Sequence, residues 1–322
     1  MTTAMHAMQA VVVSEFGAEP RLAQLPVPEP GPTELLVRIH AAGLNPSDWK
    51  VADGALRDVV PHTFPLVMGS DGAGVVEKAG SRVTRFRAGD RVFGQFMHVQ
   101  RGLGSYAEYS VADQDGAIAT IPDGVPFPVA ASLPTAGVAA YQAVEAARVK
   151  PGHVVLINGA SGGVGQCAIQ FAVLAGARVL ATGATDLAGH LRSLGAATVF
   201  DFTRAPTHRQ VAAAYPGGID AIVDLVTPAG GDLQAMSALI RPGGTLVSAN
   251  HAAPPEALAG RGIRGINLSS AASADILTKL AELAATGDLR VHIDRQVRLS
   301  AAPAAVAHAR VSHARGKTLF LP

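Results

Sequence analysis

The sequence predicts an α/β protein of two domains, one mainly β and one built on a doubly wound parallel sheet. Three observations lead there. A length of 322 residues suits about two domains at roughly 100 to 200 residues each. Between Met8 and about Asp123 short β-rich runs are separated by Pro and Gly clusters. From about Lys150 apolar strands alternate with helix-length segments, the pattern of a parallel sheet joined by right-handed crossovers.

In order, AVVV, ELLVRIHA, GAGVVEKAG, DRVFG and SYAEYSVA are the β runs of the first part, punctuated by PVPEPGP and NPSD. The second part reads strand HVVLING, helix QCAIQFAVLAGA, strand RVLATG, helix DLAGHLRSLGA, strand TVFDF, then strand IDAIVDLV, segment DLQAMSALI and strand GTLVSAN. The tail IDRQVRLS, AAPAAVAHARVSHA and GKTLFLP mixes strand and helix again. Texture alone therefore divides the chain into 1–133, 134–271 and a return segment 272–322 that completes the first domain. No repeat of fixed period interrupts this division.

Composition narrows the function. Hydrophobic residues make up 48% and charged residues 16%, against a usual ~25% charged, which excludes intrinsic disorder. The net charge of +1 gives no field to gather nucleic acid or anionic lipid, so neither is an expected partner. Cys167 is the single cysteine, which rules out an intramolecular disulfide and multi-thiolate zinc sites and points to a reducing compartment. The start MTTAMHAMQAVVVSEF lacks a basic region and an export core. The apolar stretch 127–147 is broken by Pro128, Pro134 and Gly137 and carries Glu145, so it does not read as a bilayer span. The expectation is a cytoplasmic protein.

The strongest chemical signal is VVLINGASGGVGQCAIQFAVLAG, an apolar strand, a glycine-rich turn and an apolar helix. Ala160, Gly162 and Gly165 occupy the three positions of the G-x-G-x-x-G fingerprint. Gly162 would let backbone approach a pyrophosphate, and Gly165 would let the helix pack closely on the sheet. Ala160, Ser161, Gly162, Gly163 and Val164 are thus the expected diphosphate contacts, aided by the helix dipole. The bland alternative is a tight strand-to-helix turn that binds nothing. A P-loop is disfavoured, since no Gly-Lys-Ser/Thr follows.

NAD sites place an acid at the end of the second strand, on the ribose 2′-hydroxyl. Here that strand ends at the uncharged Thr182 and Gly183, followed by Thr185, with Arg192 and Arg204 further on. This favours NADPH. Asp186 argues the other way and leaves NADH possible.

Several ordered motifs resemble the zinc-independent medium-chain dehydrogenase/reductases, in their quinone oxidoreductase and alkenal reductase branch. AAGLNPSDWKVADG and PLVMGSDGAGVVEKAG look like the first two family signatures, followed by AGDRVFG, GSYAEY, ASLPTAGVAAYQAV, NGASGGVG, RPGGTLVS and ARGKTLFLP. The resemblance implies a GroES-like catalytic domain made from both chain ends, a Rossmann domain inserted between them, a cleft where they meet, and hydride transfer from a nicotinamide. It also implies a homodimer joined through the nucleotide sheets, with GTLVSAN and the segment after it as the seam. Zinc members carry Cys in the first signature and Gly-His-Glu in the second; here the second reads Gly69-Ser70-Asp71, so no metal site is expected.

Without a Lewis acid the acceptor must already be electrophilic, as a quinone or an α,β-unsaturated carbonyl is. The protein would then supply orientation and donors for the developing oxyanion. Asn45 and Lys50 in LNPSDWK are the candidates for this and for contact with the coenzyme. A turn-forming Asn and a solvated Lys are their bland alternatives. Asp48 is expected to order that turn. The resemblance places Thr135 on the nicotinamide side and Phe202 beside the adenine ribose, and Asn250 ends a strand where open α/β sheets bind ligands. Asp186 departs from it, because alkenal reductases carry a base there. Tyr106, Tyr109 and Tyr141 are read as core or rim rather than proton donors. The eleven histidines have no ligand spacing, and Cys167 is read as a buried thiol. Two further readings stay open: an enoyl thioester reductase, or a catalytically weak NADPH-binding protein with a redox-sensing or structural task.

Overall fold

A computed structural model describes residues 7–322. The first residues of the stretch read for an export signal, 1–6, lie outside the described residues. The chain divides into two compact units. One runs to Thr135 and takes up Ala272–His313 and Lys317–Pro322; the other is Ala136–Ala271 with Ala314–Gly316. Three residues of the expected return segment therefore belong to the second unit.

The first unit centres on the strand Glu34–Gly43, buried over most of its length as suits the middle of a packed sheet. It pairs antiparallel with Asp71–Ala79, which continues to Arg91–Gln95 and Ile118–Thr120. Tyr109–Asp113 pairs with its first half. At its other end it meets Lys317–Leu321, with Phe320 opposite Ala42, and that strand lies parallel to Ile293–Arg298. A smaller sheet joins Ala7–Val13 to Arg21–Pro26 and Leu66–Val67. Val37, Ile39, Phe96, Tyr106 and Phe320 are core residues of this unit.

The second unit holds six parallel strands in the spatial order Ala196–Phe200, Arg178–Thr182, Val154–Asn158, Ile219–Asp224, Ile240–Ser248 and Arg264–Asn267. Numbered by chain order this is 3-2-1-4-5-6, the doubly wound arrangement, with its switch point between the first and fourth strands. Leu156, Leu180, Ile222 and Leu246 fill one core cluster. The helix Gly163–Leu174 buries every residue from Gly165 to Ala172, which explains its near-continuous apolar sequence. GTLVSAN is not an edge: Ile240–Ser248 pairs on both sides. The edge on this side is the following strand Arg264–Asn267, which the sequence reading does not isolate because Arg and Gly interrupt its apolar run.

Candidate functional site

In the nucleotide unit the chain leaves the strand Val154–Asn158 and enters the helix at Gly162, with extended backbone and no capping side chain. The first-turn amides, where the positive end of the helix lies, thus have no side-chain acceptor from this cap. The glycines differ in kind. A Cβ on Gly165 would stand 2.3 Å from the Gly159 carbonyl oxygen, so close helix-to-strand packing demands glycine there. A Cβ on Gly162 would meet nothing nearer than Ala314 Cβ at 3.7 Å. The chain's own packing does not require glycine at 162, and the space beside it is a cradle that a side chain would fill.

The strand ends around this turn are tied together. Thr182 Oγ1 accepts from the Gly159 amide at 2.8 Å and donates to Asn158 Oδ1 at 3.3 Å. Asn158 Nδ2 donates to Asp224 Oδ1 at 2.6 Å, and Thr227 donates twice to the same carboxylate. Burial raises the Asp224 carboxyl above its usual range. Asn250, just past its strand, donates to the Leu225 carbonyl at 3.1 Å. Ala160 is buried, the Ser161 carbonyl accepts from Gln166 Nε2 at 2.8 Å, and the Gly183 amide bonds back to Phe200. The Thr185 hydroxyl donates to Asp201, whose carboxyl the Thr185 and Thr203 hydroxyls hold down at about 2. Phe202 is 41% exposed. Asp186 pairs with Arg315, which holds its carboxyl below the usual range.

The β-rich unit contains a buried polar cluster. Asn45 and Pro46 start the helix Pro46–Ala52, an Asn at the cap and a proline at the first position. Asp48 accepts from the Asn45 amide at 2.7 Å, the Ser70 amide at 3.1 Å and the Tyr106 hydroxyl at 2.5 Å. Burial pushes its carboxyl up to about 7 against the pull of these donors. Asp71 accepts from Asn45 Nδ2 at 2.9 Å, Thr135 Oγ1 at 2.6 Å and the Thr135 amide at 3.0 Å. Its carboxyl is likewise raised by burial, with Lys317 pulling the other way. Lys317 Nζ donates to Asn45 Oδ1 at 2.6 Å and the Leu44 carbonyl at 2.9 Å, and lies 4.0 Å from Asp71 Oδ2.

One expectation changes in this light. The Asn45 amide, expected to face a substrate oxygen, is spent inside the chain: one bond goes to Asp71 and a longer one, 3.4 Å, to the Gly43 carbonyl. A buried carboxylate is the stronger acceptor. Lys50 is exposed on the same helix and takes no part in the cluster's hydrogen bonds. Thr135 and Asn45, far apart in sequence, meet on one carboxylate. Asp48 does order the turn, and Tyr106 is fully buried with its hydroxyl committed to Asp48. Tyr141 packs edge-on against Phe171, and Cys167 is buried. Sequence reasoning missed Lys317 and Arg315; the only trace was the charged start of an otherwise apolar strand, ARGKTLFLP.

No three His, Cys, Asp or Glu side chains converge as a metal site among the described residues. No helix among the described residues is long and apolar enough to cross a membrane.

Residues 31–123 match the family described as alcohol dehydrogenase GroES-like domain, and residues 194–319 the family described as zinc-binding dehydrogenase. A quinone oxidoreductase of Sus scrofa is 32% identical, with the alignment covering 99% of this chain and 98% of that one. A chloroplastic quinone-oxidoreductase homolog of Spinacia oleracea is 40% identical over 205 residues, 61% of each chain. This chain thus spans less than two thirds of that relative. The solved structure of the quinone oxidoreductase from Coxiella burnetii superposes with a TM-score of 0.87 at 31% identity, covering 98% of this chain and 100% of that one. The ion in the second family description does not suit the buried cluster: its two carboxylates, Asp48 and Asp71, are taken up by an amide, two hydroxyls and backbone amides beside the Lys317 ammonium, which is not a zinc donor set.

Proposed function

Since the chain belongs to the medium-chain dehydrogenase/reductase family, among relatives named quinone oxidoreductases, we propose that it is an NADPH-dependent, metal-free oxidoreductase that reduces quinones or α,β-unsaturated carbonyl compounds. A cytoplasmic setting accords with its single cysteine. The observation that carries the coenzyme reading is the unfilled space at Gly162 beside a helix start that no side chain caps. A diphosphate fits both the room and the charge there.

Ala160, Ser161, Gly162, Gly163 and Val164 would hold the diphosphate. Thr182, Gly183, Thr185 and Phe202 would border the adenosine, and Asn250 and Thr135 are assigned to the nicotinamide end. When bound, the reduced nicotinamide supplies the hydride. The chain's own part is to position and to stabilise charge. Asn45, fixed by Asp71 and Lys317, holds the start of the helix that carries Lys50. Lys50 brings an exposed ammonium that can meet the acceptor's oxygen as it gains charge, or the coenzyme. Because the buried cluster offers an ammonium in place of a metal's ligands, the acceptor must owe its electrophilicity to conjugation.

Loss of NADPH absorbance with a naphthoquinone, a short enone and a crotonyl thioester, run side by side, tests the reading. Turnover of the first two, unchanged by a chelator, supports it. Preference for the thioester favours the enoyl reductase, and coenzyme uptake without turnover of any favours a binding protein. A large loss on chelation contradicts the metal-free assignment.

A further inference from the structure

Asp186 is the residue least suited to NADPH: an acid soon after the second strand of the nucleotide sheet would repel a 2′-phosphate. The structure shows it accompanied. Arg315 Nη2 lies 2.6 Å from Asp186 Oδ2, in a pair whose side chains are 46% and 60% exposed. Exposed ion pairs add little to stability, so folding alone gives little reason for this one.

Arg315 is held in this place by more than the ion pair. It belongs to Ala314–Gly316, the three residues that pack with the nucleotide unit although the chain on either side does not. Ala314 Cβ is the nearest atom to the space beside Gly162. The buried Gln166, on the first turn of the phosphate-loop helix, donates to the Ser161 carbonyl at 2.8 Å and to the Arg315 carbonyl at 3.4 Å. Its Oε1 lies 2.9 Å from the His190 ring, on the helix that follows Asp186. Arg315 is thus fixed to the loop that would grip the diphosphate and, through Asp186, to the segment that would border the ribose.

We propose that Arg315 reads the 2′-phosphate of NADPH, with Asp186 as the counter-charge that holds its guanidinium ready. This rests on the nicotinamide-coenzyme reading above. A guanidinium carries five N–H donors in a planar fork suited to phosphate, and the contact with Asp186 occupies one of them. A phosphate can therefore be met without breaking the pair. Asp186 then acts as a brake on affinity as well as a holder, since its charge opposes the phosphate that Arg315 attracts.

Calorimetry with NADPH, NADH and adenosine 2′,5′-bisphosphate, which has the 2′-phosphate and no nicotinamide, tests this without any turnover. Arg315→Ala should weaken NADPH and the bisphosphate by about tenfold to a hundredfold, the scale of a charge-assisted contact. NADH affinity should stay within about twofold, and the melting temperature should be unchanged. Asp186→Asn should tighten NADPH and the bisphosphate several-fold and leave NADH alone. If Arg315→Ala leaves the NADPH-to-NADH ratio as it was, or weakens both coenzymes alike, the proposal is overturned while the coenzyme reading stands. If the unaltered protein takes up neither coenzyme nor the bisphosphate, the coenzyme reading itself falls and the proposal with it.

Discussion

At the scale of single residues, two glycines three positions apart answer to different demands. Gly165 is required by a carbonyl 2.3 Å from where its Cβ would stand, and Gly162 by nothing in the chain itself. Gly165→Ala should cost about 1–3 kcal/mol of stability through overpacking, read from the urea midpoint. Gly162→Asp should leave that midpoint almost unmoved yet weaken coenzyme binding at least about a hundredfold, because a carboxylate would face the diphosphate. Unchanged affinity would remove the assigned loop. Lys50→Met should lower kcat/KM about a hundredfold, as loss of an oxyanion-stabilising donor does; a value near that of the unaltered protein would return Lys50 to the role of a surface lysine. Asp48 makes a prediction about pH. The unfolded chain gives up this proton near the ordinary 3.8 and the folded chain at about 7. Its contribution to stability is therefore full below about pH 4 and is lost as pH rises toward about 7. Asp48→Asn should flatten that decline in urea titrations. Asp71, also raised by burial, contributes in the same direction, so part of the slope should remain. An unaltered slope in the variant would count against the assignment.

At the scale of elements, the last strand, Lys317–Leu321, brings one charged residue into the β-rich interior. Lys317→Met would leave the Asn45 oxygen, the Leu44 carbonyl and Asp71 without their cation, at a cost of about 3–5 kcal/mol. Adding Asp71→Asn should recover part of that loss, a coupling that strictly additive effects of the two changes would refute. What the sequence made legible divides along the same line. The phosphate loop was readable because strand, turn and helix are contiguous, and HVVLING, RVLATG and IDAIVDLV became neighbouring parallel strands because their apolar runs report burial on both faces. DLQAMSALI kept only the short helix Gln234–Ser237. The partnership of Lys317 with Asn45 spans 272 positions, and that of Arg315 with Asp186 spans 129. Periodicity reports which face of an element is buried, not which distant element covers it, so neither pair could be read in advance.

At the scale of the whole molecule, the nucleotide sheet ends in Arg264–Asn267, which is paired on one side only and half-buried along its length. Exposed edges of this kind are paired, covered or blunted in stable proteins. If the proposed homodimer forms there, sedimentation should give twice the 32.8 kDa chain mass, and Ile266→Lys should shift it to the monomer. A monomeric unaltered protein would dispose of the dimer. The strand that supplies the buried ammonium comes after every strand of the nucleotide sheet in chain order. During synthesis, therefore, every strand of the nucleotide sheet is made before the counter-ion of Asp71 exists, and until then the β-rich half carries that carboxylate without its cation.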